Sequence, residues 1–115
     1  MPELNLGTAT IATSRGINLD ALAPPESEKD FQSRVVSLAR SLGWMVFHPF
    51  DSRRSEPGWP DLSLVRERFI VAELKAENGK LTEDQERWLE AFRRARVPAY
   101  CWRPSDWVII EKALA

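Results

Sequence analysis

The chain has 115 residues, 43% of them hydrophobic and 29% charged, which is one small domain's worth of polypeptide and excludes a multidomain machine. A domain of this size buries roughly two-thirds of the surface its unfolded chain exposes, enough for one core and one site beside it. Sixteen Lys and Arg against 17 Asp and Glu leave a formal charge of −1, without the basic excess that marks most nucleic-acid binders.

Residues 1–26 are rich in Thr, Ala, Asn and Pro, show no helical or alternating period, and end at Pro24-Pro25. They read as an arm outside a domain formed by residues 27–115, with a partner subunit as one candidate to hold the arm down. No secretion-signal pattern opens the chain and no apolar run approaches the ~20 residues of a membrane span, so a cytoplasmic protein with no membrane partner is expected. Ser27-Glu28-Lys29-Asp30 has the form of a helix cap, and Phe31, Val35, Leu38, Ala39 and Leu42 follow at spacings of three and four up to Gly43. Trp44 to His48 reads as a short strand closed by Pro49, and Phe50 to Trp59 as a polar loop with a turn at Pro57-Gly58.

Asp61 to Val65 and Phe69 to Lys75 read as two strands of a hairpin around the charged turn Arg66-Glu67-Arg68. Thr82-Glu83-Asp84-Gln85 forms a second capping box, and Trp88, Leu89, Phe92 and Ala95 set out the buried face of a second helix. Ala99 to Trp102 is a last strand, and Ser105 or Asp106 is expected to cap a final helix through Trp107, Ile110 and Leu114. Cys101, the single cysteine, cannot close an intramolecular disulfide; it fits a reducing compartment and reads as a small buried hydrophobe. The order α-β-β-β-α-β-α predicts an α/β domain with helices on a small mixed sheet.

Chemistry concentrates on the hairpin. Asp61 heads one strand, while Glu73 and Lys75 alternate on the next and therefore share a face, about 7 Å apart. Antiparallel pairing brings the start of one strand beside the end of the other, so Asp61 is expected next to Glu73. Two converging carboxylates with an ammonium alongside suit Mg²⁺ or Mn²⁺, which prefer oxygen ligands and keep water and substrate phosphate in their shells. The lysine can orient water and offset charge that builds on a phosphate. Glu28 precedes Phe31 and Val35 by three and seven residues, which places a third acid on the sheet-facing stripe; the alternative is an acid that favours the positive end of the helix dipole.

Asp-x₁₁-Glu-x-Lys resembles the core motif of the PD-(D/E)xK nucleases, and its surroundings narrow the likeness. Ser27-Glu28, Gly43-Trp44 with His48, Gly58-Trp59-Pro60-Asp61-Leu62, Ala72-Glu73-Leu74-Lys75, Gly79-Lys80-Leu81-Thr82 with Gln85, and Trp102-Arg103-Pro104 are similar in order to the VRR-NUC family, from Ser27 to about Glu111. The resemblance implies a restriction-endonuclease-like fold and a metal-dependent DNA endonuclease. It further implies Asp61, Glu73 and the Leu74 carbonyl as metal ligands with Glu28 as the helix-borne acid, Lys75 as the catalytic lysine, and Gln85 facing the site. Compact members resemble enzymes that cut branched DNA, such as four-way (Holliday) junctions, as homodimers. A flap, nick or single-strand nuclease of the same fold and a non-catalytic DNA-binding module are the rival readings.

Several residues carry two readings. Gln85 stands third in its helix, so a reciprocal capping bond accounts for it without catalysis. His48 fits a phosphate contact or a strand-end structural role better than a general base. Arg53 and Arg54 suit phosphate contacts or mere solubility, and Trp59 suits stacking on a base or sugar or a place in the core. Arg87, Arg93, Arg94 and Arg96, interleaved with Glu83, Glu86 and Glu90, read as a solvated helix face. Five acids and two basic residues lie at or before Asp30, so from Phe31 onward 14 Lys and Arg face 12 Asp and Glu, and chelation of two acids tilts that domain further towards a basic surface.

Overall fold

Apolar periodicity and capping chemistry translate into three helices and four strands in the computed structural model, which describes residues 25–49 and 56–115. Helix α1 (Glu28–Ser41) starts where Ser27 Oγ accepts the backbone N–H of Asp30, with Phe31, Val35, Val36 and Ala39 buried on its inner face. Strand β1 (Met45–Phe47) pairs antiparallel with β2 (Leu62–Val65), and β2 with β3 (Phe69–Leu74). Helix α2 (Glu83–Arg94) then returns the chain so that β4 (Ala99–Trp102) lies parallel to β3. The sheet order is β1-β2-β3-β4, and a 3-10 turn (Pro104–Asp106) leads into α3 (Trp107–Leu114). The predicted order of elements and the mixed sheet are both present.

Alternation along the strands divides the sheet into two faces. Leu62, Leu64, Ile70, Ala72, Leu74 and Trp102 point towards α1 and α3 and form the main core with Phe31, Val35, Trp44, Ile110 and Leu114. Val71 and Ala99 point the other way and pack with Leu89 of α2. Glu73 lies two residues beyond Val71 and so projects from the α2 face, which carries the smaller apolar cluster. The Arg66-Glu67-Arg68 turn also fastens the back of the domain. Arg66 donates to the carbonyls of Leu42, Leu114 and Ala115, Arg68 donates to that of Ala113, and both guanidinium groups lie over the ring of Trp44.

Some local expectations change. Asp61 lies just outside β2 because its side chain, rather than its backbone, meets β3. Ala95 is the exposed C-cap of α2, and Leu42 is the exposed C-cap of α1, so the apolar stripe of each helix ends inside the helix rather than at its cap. Asp106 does not cap α3 with its carboxylate; Oδ2 accepts the N–H of Arg103 and closes the 3-10 turn instead. Cys101 is half-buried rather than buried, because β4 is the edge strand on which it sits.

The turn that delivers Asp61 depends on Gly58. Its φ is +90°, and a Cβ there would come within 2.5 Å of the Asp84 backbone at the start of α2. Neighbouring contacts pin the same turn: Trp88 Nε1 donates to Pro57 O at 3.0 Å, and Trp59 meets Trp88 and Phe92 edge-on, with ring centroids 5.0 and 5.3 Å apart. Replacement Gly58→Ala combines an unfavourable backbone conformation with a clash against main chain, so it is expected to cost more than ~1 kcal/mol. A lower thermal midpoint with weakened near-UV tryptophan dichroism checks this.

Candidate active site

Asp61, Glu73 and Gln85 converge at one end of the sheet. Leu62 pairs with Ala72, so one further step of antiparallel register sets Asp61 opposite Glu73. Asp61 Oδ2 accepts the backbone N–H of Leu74 at 2.8 Å, standing in for a main-chain carbonyl of β2 and fixing the orientation of the carboxylate. Glu73 is 2% exposed, the one buried acid among the described residues. Its Oε2 accepts Nε2–H of Gln85 at 2.9 Å and lies 3.8 Å from Lys75 Nζ.

Gln85 performs both functions that the sequence left as alternatives, because its amide has two ends. Oε1 accepts the N–H of Thr82 at 2.9 Å while Gln85 N–H donates to Thr82 Oγ1 at 3.1 Å, completing the capping box. Nε2 remains free to reach Glu73. The cap thus holds the amide that holds the acid.

Glu73 Oε1 is buried and no donor reaches it. Burial, and secondarily the negative Asp61 alongside, pushes the Glu73 carboxyl up to about 8; the protonated form also has Asp61 to donate to, and Lys75 only partly opposes the rise. A carboxyl kept protonated first by burial and then by a carboxylate neighbour, with an oxygen left over, is one that added positive charge would ionise. Hard divalent cations supply that charge to oxygen donors, so the pair fits Mg²⁺ or Mn²⁺. Among the described residues no three His, Cys, Asp or Glu side chains converge closely enough to hold a metal. The acids that meet are Asp61 and Glu73, and Glu28 does not join them as a third side-chain ligand.

A cavity of about 220 Å³ opens over the pair. Asp61, Glu73 and Gln85 line it together with Glu28, His48 and Trp59. Glu28 is exposed at the cavity rim, not on the buried stripe of α1, because the helix begins there and its first turn overhangs the cavity. His48 is likewise exposed at the end of β1. Trp59 is partly occupied by its contacts with α2 and presents only its remaining surface to the cavity. Lys75 is not a lining residue and meets the site through Glu73. Arg53 and Arg54 fall outside the described residues.

Gln32 and Glu56 also line the cavity and were missed. Gln32 had a signal, since it stands four residues after Glu28 and so on the same helix face; Glu56 had none, because loop geometry alone brings it there. On α2, Arg87 pairs with Asp84 and Arg94 with Glu90, as a solvated face would, whereas Arg93 donates twice to Ala99 O.

The raised pKa of Glu73 makes the stability of the fold depend on pH. A carboxyl whose folded value lies above 4.5 favours the native state while protonated, and that contribution is lost as pH rises from 4.5 through about 8. Metal-free protein is therefore expected to melt at progressively lower temperature across this interval. Glu73→Gln, which cannot ionise, flattens the dependence; parallel thermal melts over pH check it.

The family model described as the VRR-NUC domain matches residues 15–105. The match begins at residue 15, earlier than the Ser27 at which the motifs start. A solved structure titled "VRR_NUC domain" superposes with a TM-score of 0.61 at 26% identity, covering 76% of this chain and 92% of its own. A second, "VRR_NUC domain protein", gives 0.59 at 19% identity, covering 75% and 84%. No curated protein matches.

Proposed function

The chain belongs to the VRR-NUC family, which implies a nuclease-type role in DNA processing, and on that premise we propose that it is a structure-selective, metal-dependent DNA endonuclease that resolves four-way junctions as a homodimer. The observation that carries the reading is the Asp61–Glu73 pair: an oriented carboxylate beside a buried acid with an unpartnered oxygen. Asp61 and Glu73 would hold Mg²⁺ or Mn²⁺ with the Leu74 carbonyl as a further oxygen donor, and Glu28, which lines the cavity without converging on the pair, would act on the metal's water. When bound, the metal lowers the pKa of water and offsets charge on the phosphate.

The chain's own residues supply the rest. Gln85 holds one oxygen of Glu73, which lines the same cavity as Asp61. Lys75, which meets the site through Glu73, would offset the negative charge that gathers on the phosphate and would help to orient the attacking water. His48 at the cavity rim would contact a phosphate, Arg53 and Arg54 would share that role, and the part of Trp59 that lines the cavity would meet a base or sugar. DNA is the partner. Two subunits would give one centre for each of two strands, which paired incision of a junction requires. Among the described residues no helix is long and apolar enough to cross a membrane.

Labelled four-way junction, flap, nicked and linear duplexes, each with Mg²⁺ and with Mn²⁺, provide the test. The junction is expected to be cut fastest and by paired incision. Asp61→Ala and Glu73→Ala should each lower the rate at least ~10²-fold with circular dichroism unchanged. Wild-type cutting by Glu73→Ala would refute the site, preference for a flap or nick would shift the substrate, and a strictly monomeric species by light scattering would remove the paired-cut model.

A further inference from the structure

The corner that follows β4 lines no part of the cavity, yet it is tied to the turn that follows the catalytic strand. Arg103 Nη2 donates to Gly79 O at 2.6 Å. Two residues on, Ser105 donates to the carboxylate of Glu77 through its backbone N–H at 3.0 Å and its hydroxyl at 2.6 Å. Parallel pairing makes these ties possible: Leu74 lies beside Trp102, so the segments leaving β3 and β4 emerge side by side.

The turn they hold rests on Lys75. Gly79 N–H donates to Ala76 O at 2.9 Å, closing a tight turn directly after the lysine. A Cβ at Gly79 would lie 3.4 Å from both Cβ and Cδ of Lys75, so the stem of the lysine runs against the glycine. The Lys75 backbone is set from the same corner, its N–H donating to Trp102 O at 3.0 Å. A lysine stem has four freely rotating bonds, and its ammonium keeps one place only where packing limits them. The side chain is 13% exposed, so packing does limit them here.

We propose that Arg103 is a positioning residue for Lys75: its guanidinium holds the Gly79 carbonyl, the turn stays pressed on the lysine stem, and the ammonium stays beside Glu73. The Glu77–Ser105 pair is a second tie of the same kind. This inference rests on the reading of Lys75 as part of a nuclease centre.

Wild type, Lys75→Ala, Arg103→Ala and Arg103→Lys are compared by cleavage of whichever DNA of the branched panel wild type cuts fastest. Arg103→Ala is expected to lower kcat ~10-fold through misplacement of the ammonium, with KM unchanged. Arg103→Lys, which can still donate to Gly79 O, restores most of the loss. An amine-specific reagent read by mass spectrometry reports on Lys75 without any need for activity. Lys75 should label several-fold faster in Arg103→Ala and at the wild-type rate in Arg103→Lys. Should Arg103→Ala fail to fold, Glu77→Ala loosens the same turn and is expected to move both readouts in the same direction. Unchanged Lys75 labelling, or a loss confined to KM, overturns the proposal. Wild-type cutting by Lys75→Ala, or no cutting by wild type, instead overturns the nuclease role of the lysine, and labelling then decides alone whether Arg103 holds it.

Discussion

Asp61 gives its carboxylate to the backbone N–H of Leu74, and the whole site is arranged around that bond. It ends the β2–β3 ladder with a side chain where a carbonyl would otherwise stand, so a negative charge sits at the end of the sheet instead of a neutral dipole. Glu73, next on β3, is forced into the field of that charge while buried. The sheet's register therefore sets the two acids opposite each other, with one of them buried. Such an arrangement persists because the surrounding packing over-determines it, and a perturbed, partnered acid of this kind is characteristic of functional sites.

The elements around the pair each do two things. Thr82 and Gln85 begin α2 and also orient Glu73; Gly58 lets the turn before Asp61 lie against the first residues of α2; Trp59 and Trp88 fasten that turn from its side. Stability and site geometry are thus coupled through the N-terminus of one helix. On the far side, the corner after β4 bears on the turn after β3, so the carboxylates and the lysine are braced from different directions. A chain of 115 residues with few spare residues for a separate scaffold economises by sharing its caps and turns with its site.

Near-neutral composition concealed a partition of charge. Acids gather in the cavity, with Glu28, Glu56, Asp61 and Glu73 on its walls, while Arg66 and Arg68 are spent on helix-end carbonyls and Arg93 on β4. Net charge averages over both, which is why it argued weakly against a nucleic-acid partner although the family to which the chain belongs processes DNA.

Much of this was legible in the residues themselves. Apolar spacing in α1, the Thr82 box, the tight hairpin turn and the alternation of Glu73 with Lys75 are local properties, decided by backbone geometry within a few residues. They determined the order of elements, the mixed sheet and the approach of Asp61 to Glu73. What local pattern could not decide was where side chains go once elements leave the sheet. Glu28 faces the cavity from an exposed first turn, Glu56 arrives by loop path alone, Gln85 serves cap and acid at once, and Arg103 reaches Gly79 across 24 residues of chain. Those outcomes depend on distances between segments far apart in sequence, which only the packed sheet and helices set.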